Sequence, residues 1–195
     1  ILLQKYAGPY DGVPQFDKVT IADLEPALDV AIAENLAEID AIANNPEKPT
    51  FQNTIVALEA SGSALDRLFP YYGIWANNNS SPAFRELQGK LLPKFSEMSS
   101  KITQNKALFE RIQAVYKSDE FKNLTAEEQR ITWMRYNGFA RNGATLSGDK
   151  AKRYAEINLE LSGLHSKFGN NVLADEENYV VYLTKDQLAG LPQSY

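Results

Sequence analysis

The chain has 195 residues, 44% of them apolar, with 20 basic against 25 acidic side chains and a net charge of −5. That length sustains one large domain or a compact pair, and the acidic balance excludes the basic stripe that nucleic-acid binding needs. With no cysteine and a single histidine, His165, disulfides, thiolate nucleophiles, sulfur-ligated metals and a two-histidine zinc site are all excluded within the chain. No apolar run approaches the roughly 20 residues of a membrane span.

Residues 1–19 carry Gly8-Pro9, Gly12 and Pro14 and read as an extended arm with turns. Leu2, Leu3, Tyr6, Tyr10, Val13 and Phe16 are expected to pin it to the surface that follows. Helical periodicity then dominates. Leu28, Ile32, Leu36, Ile39 and Ala43 recur at steps of three and four on one face, with Glu34, Glu38 and Asp40 off it. Thr20 and Asp23 have the spacing of a capping box; Pro26 points to a regular start near Glu25, and Asn44-Asn45-Pro46 to the end.

Thr50 is placed to cap a second helix with the stripe Ile55, Leu58, Gly62, Leu65, Phe69 and Tyr72, which Pro70 is expected to kink or break. Ser81 and Pro82 open a third, carrying Phe84, Leu87, Leu91, Phe95, Met98 and Ile102 and bent at Pro93. Asn105 caps a short fourth with Leu108, Phe109, Ile112 and Tyr116. Thr125 and Glu128 form the capping box of a fifth, with Ile131, Met134 and Tyr136 inward. After a break at Gly143–Gly148, a sixth presents Tyr154, Ile157, Leu161, Leu164, Phe168 and Val172. Only Tyr179–Leu183 (YVVYL) is β-like. The fold class expected is mainly α, an antiparallel bundle-like domain joined by short connections. Residues 1–19 are its arm, 20–175 the helical domain, and 176–195 a short strand and linker.

Chemistry is sparse. H-E-x-x-H is missing, and His165, at the edge of an amphipathic stripe with no second ligand, reads as an ordinary helix residue. Asp175-Glu176-Glu177 and Glu127-Glu128 lie beside helix ends, where acids serve the dipole and solvation. Gly143-Ala144-Thr145-Leu146-Ser147-Gly148 has the glycine spacing of a phosphate loop. Asp149 stands where the lysine belongs, however, and a helix–helix turn is the better reading. Phe69, Tyr71, Tyr72 and Trp75 could line a peptide groove, but at helical spacing they read first as core. Glycosylation sequons begin at Asn78, Asn79 and Asn123, patterns short enough to arise by chance.

Several strings carry more. Pro49-Thr50-Phe51-Gln52-Asn53-Thr54-Ile55 with Ala57-Leu58-Glu59 resembles the "PTFENTI-ALE" segment of the thimet-oligopeptidase and peptidyl-dipeptidase family of zinc metallopeptidases. Val13-Pro14-Gln15-Phe16-Asp17 and Glu25-Pro26-Ala27 are similar to its "PPFD" and "EPA". Phe168-Gly169-Asn170-Asn171-Val172-Leu173 is similar to its "F-x-N-N-V-L", and Leu188-Ala189-Gly190-Leu191-Pro192 to its "L-x-GLP". Order and spacing agree along the whole chain, and the stretch around Pro49 resembles the bacterial peptidyl-dipeptidase branch.

The resemblance implies a two-lobed helical enzyme with a deep channel, one zinc held by H-E-x-x-H and a downstream glutamate, and release of C-terminal dipeptides from short peptides. None of those ligands falls within these residues, so catalytic and metal residues are expected to be none and the substrate contacts are left open. The segment is expected to be a fragment, inactive alone, supplying a lobe and a channel wall to a missing catalytic region in a soluble protein of the bacterial cytoplasm or periplasm. A stand-alone helical peptide- or protein-binding module is the other reading the sequence leaves open.

Overall fold

A computed structural model describes residues 1–7 and 12–192, the side chain of residue 178 excepted. Gly8-Pro9 and Tyr10 of the arm, and the end of the chain from 193, lie outside the described residues. The rest of the arm is held by specific bonds. Leu2 is buried, the Tyr6 hydroxyl donates to the Arg67 carbonyl (2.5 Å), and Arg67 Nε donates to the Leu3 carbonyl (2.6 Å). The Gln15 amide donates to the Tyr71 hydroxyl (2.7 Å), while Phe16 rests on Tyr71 and Trp75 with centroids 4.9 and 5.6 Å away. Val13 was expected among these anchors and is exposed instead.

The capping box at Thr20 forms: the Asp23 carboxylate accepts from the Thr20 amide and hydroxyl at 2.8 and 2.9 Å. These bonds hold the Asp23 carboxyl below the usual carboxylate range. A 3₁₀ turn, Ile21–Asp23, leads directly into helix α1, Leu24–Ala43. A π-helical turn, Phe51–Val56, runs into the short α2, Ala57–Ala60. There follow α3 (Ser63–Asn77), α4 (Pro82–Thr103), α5 (Lys106–Tyr116), α6 (Asp119–Asn123), α7 (Ala126–Phe139), a π-helical turn Ala140–Ala144 and α8 (Asp149–Asn178). Among the described residues the fold is mainly α, as the periodicity requires.

Helix α1 is the spine. It packs on α3 and α4 with its first half and on α5 with its second. Leu24, Leu28 and Ala31 enter one hydrophobic cluster with Leu65, Leu68, Tyr71, Trp75, Phe84 and Leu91. Ile39, Ile42 and Ala43 enter a second with Ile55, Leu108, Ile112 and Val115. Phe109, Tyr116 and Tyr136 join α5 to α7 beside the second cluster, Tyr136 stacking within 13° of parallel on both partners.

Four expectations are corrected. The break in the second helical pattern falls at Ser61-Gly62, not at Pro70. Gly62 adopts φ +82°, its amide donates to Glu38 Oε2 (2.7 Å), and a Cβ there would stand 3.1 Å from the buried Asn35. Helix α3 then runs through Pro70, which is exposed, so the ring and the unpaired carbonyl four residues back face water. Helix α4 is one continuous element through Pro93, the position at which a bend is expected. The inner face of α3 is Ala64, Leu65, Leu68, Tyr71 and Trp75, with Phe69 turned outward against Phe95. In α7 it is Thr132 that is fully buried, its hydroxyl donating to the Glu128 carbonyl (2.7 Å), while Met134 is exposed. Among the described residues Tyr179–Leu183 pairs with no strand: the backbone leaves α8 extended at Tyr179, and a 3₁₀ turn, Lys185–Leu188, follows.

Candidate functional site

The family-like string Pro49–Ile55 folds as a joint between elements. Thr50 and Asn53 cap one another: the Asn53 amide donates to Thr50 Oγ1 (3.1 Å) and the Thr50 amide to Asn53 Oδ1 (2.9 Å). The Asn53 oxygen also accepts from Arg111 Nη2 (3.0 Å), and its amide nitrogen donates to the Lys48 carbonyl (3.0 Å). Arg111, buried on α5, sends Nη1 to the carbonyls of Asn45 (2.7 Å) and Glu47 (2.9 Å). Glu120 on α6 accepts from the Phe51 amide (3.2 Å), placing an anion at the start of the π-turn. This set fixes the loop after α1 to α5 and α6. It is architecture and presents no reacting group.

The residues singled out for chemistry lie apart. His165 is exposed on α8. Among the described residues no group of three or more His, Asp or Glu is placed to hold a metal ion. Glu128 caps α7, accepting from the Thr125 amide (2.9 Å), and Glu177 at the end of α8 pairs with Arg85 (3.2 Å). Gly143 and Gly148 take φ +91° and +58° in the turn between α7 and α8. A Cβ on Gly143 would meet the Tyr154 ring at 3.1 Å, so this glycine serves close packing and a left-handed turn, with no phosphate cradle. Tyr71 and Trp75 are core, and Tyr72 is half-buried between Phe84 and Phe95.

The concave surface of the molecule was not legible in the sequence. Three depressions share walls and form one groove. The first, about 530 Å³, lies between α2 and α7, with Ile131 and Met134 on an apolar side and Glu59, Glu127, Arg130 and Arg135 around it. Arg135 forks onto Glu59, Nη2 standing 2.7 Å from Oε2, and these bonds raise the guanidinium pKa further above its ordinary value. Met134 and Arg135 also border the second, about 300 Å³, which reaches α4 at Met98, Ser99 and Ile102. Ser99, Thr103 and Asn142 pass into the third, about 320 Å³, walled by hydroxyls and amides including Tyr154 and Asn158 of α8. Such a groove, apolar and charged at one end and rich in hydrogen-bonding groups at the other, suits an extended, mainly polar-backboned ligand.

Comparison with known proteins identifies the family of this helical frame. Residues 28–151 match the family described as Neurolysin/Thimet oligopeptidase, N-terminal domain. The chain is 32% identical over 182 residues to dipeptidyl carboxypeptidase of Escherichia coli, covering 92% of this chain and 27% of that protein. It is 30% identical over 173 residues to dipeptidyl carboxypeptidase of Salmonella typhimurium (89% and 25%). To oligopeptidase A of Haemophilus influenzae it is 29% identical over 184 residues (94% and 27%). The chain thus spans about a quarter of the length of these curated relatives. The α1–α7 frame, built around its joint at Pro49–Ile55, belongs to the neurolysin/thimet oligopeptidase family and is its N-terminal domain.

Proposed function

We propose that this chain is the non-catalytic N-terminal part of a zinc metallopeptidase that acts on short peptides and releases dipeptides from their C-terminus. The observation that carries the reading is the likeness to dipeptidyl carboxypeptidase along 92% of the chain but only 27% of that enzyme. The zinc implied by the resemblance does not fit the residues present: one exposed histidine and no cysteine supply no ligand set. The metal, the general base and the bond-breaking step therefore belong to the remaining region of the parent protein. The role left to this chain is to form one lobe and a wall of the peptide channel, and the α4–α7–α8 groove is the surface that supports it.

The test is a dipeptide-release assay with and without added zinc. The 195-residue chain is expected to release none, and a longer protein carrying the remaining region is expected to release dipeptides. Turnover by the chain alone overturns the reading, as does a gene that ends at residue 195 with no H-E-x-x-H encoded downstream. The same groove is what a stand-alone peptide-binding module would use. Catalysis by the longer protein decides between the two.

A further inference from the structure

Helix α8 is mounted with its polar side inward. It lies along α4, and apart from Leu173 the side chains half-buried there are small or polar, Tyr154, Asn158, Ser162, Ser166 and Asn170 among them, with serines and a threonine of α4 opposite the first two. Of the stripe expected to face the core, Tyr154 is half-buried at its start, and Ile157, Leu161, Leu164, Phe168 and Val172 are exposed, Leu164 at 54% and Phe168 at 69%. These five residues recur at helical spacing along roughly 22 Å of helix. Tyr179–Leu183, which follow α8 in the chain, are exposed too, Tyr182 at 90%. A continuous apolar strip of this length is characteristic of a buried interface.

We infer that the outer stripe of α8 and Tyr179–Leu183 are a docking surface for the peptidase region of the same protein, the part of its relatives that this chain does not span. The inference rests on the proposed function. Two further observations favour this occupant. The N-terminal-domain match stops at residue 151, at the first turn of α8, whereas the likeness to dipeptidyl carboxypeptidase covers 92% of the chain and so takes in α8. The helix also carries exposed charges of opposite sign at its ends, Lys150 and Lys152 at one and Asp175 and Glu176 at the other, which favours one direction for a partner surface lying along it. The helix is thus shared between two bodies, its polar side facing the N-terminal domain and its apolar side facing the peptidase region.

Residues 1–195 contain no cysteine, so a thiol introduced here is the only one in this region, and labelling read peptide by peptide by mass spectrometry reports on it in the longer protein as well. Leu164→Cys and Phe168→Cys report on the stripe, and Lys122→Cys, exposed on α6 away from α8, is the control. In the 195-residue chain all three are expected to react with a maleimide at similar rates. In the longer protein the first two are expected to slow by about tenfold or more, because labelling then waits on local opening, while the control is unchanged. Fast labelling of 164 and 168 in the longer protein overturns the inference. So does protection in the 195-residue chain that grows with its concentration, since a second copy is then the occupant. Protection without dipeptide release leaves the docking intact and removes the enzymatic reading; dipeptide release without protection removes the docking alone.

Discussion

Arg111 draws together residues from three places in the chain, and its donors meet two carbonyls and one amide oxygen in a buried setting. Replacing it with methionine keeps much of the volume but strands those acceptors. Arg111→Met is expected to lower stability by about 3 kcal/mol in urea unfolding. A loss under about 1 kcal/mol would show that the Pro49–Ile55 joint holds without it. No local pattern marks this role, because an arginine at a helix position looks solvent-facing and its partners lie 58–66 residues away. The same distance effect hid Glu120, whose carboxylate meets an amide 69 residues off. Local signals fared better. Thr50, Ser81, Asn105 and Thr125 were all readable as caps, and each accepts a bond from the amide three residues on, since capping needs only the neighbouring turn.

At the scale of elements, periodicity places a helix but does not say what covers its apolar face. In α1 and α5 the predicted stripes meet partners and are buried or, at Ile32, Leu36 and Tyr116, half-buried. In α8 the stripe is as regular, yet the side that packs is the hydroxyl- and amide-bearing one; amphipathic spacing carries no label for which partner, or which chain region, receives it. Proline misled for a related reason. Pro70 reads as a breaker, but on the outer side of α3 its costs are a lost hydrogen bond and a solvated carbonyl, and the packed Leu68, Tyr71 and Trp75 carry the helix through. Pro70→Ala is therefore expected to stabilise the protein by about 1–2 kcal/mol, the helix-propensity gain less the extra freedom of the unfolded chain. Circular dichroism during thermal unfolding checks it, and a destabilised variant would mean that the ring itself packs against something essential.

At the scale of the whole molecule, helix content was legible throughout, whereas the groove was not, because its walls come from α2, α4, α7 and α8 and from the turn at Asn142. The two hydrophobic clusters could have been two independently folding halves. Because α1 contributes to both, residues 24–139 are expected to unfold in one transition. Native-state hydrogen exchange is the check: amides around Leu28–Ala31 and around Ile39–Ala43 should share one opening free energy, with α8 opening more readily since only its polar side is covered. Two separable transitions within α1 would contradict this.

The span of α1 also has a mechanical meaning. Twenty residues make a rod about 30 Å long, clamped at both ends by different clusters, so the two ends of the domain translate together and cannot shear past one another. The compliant point lies elsewhere. Between α7 and α8 the path from Ala140 to Gly148 leaves helical geometry at Asn142 and Gly143, and the left-handed glycines at 143 and 148 bracket it. Because α8 also lies along α4 and ties its far end to Arg85 through Glu177, torque applied to it passes into the α1–α7 frame as well as into this turn.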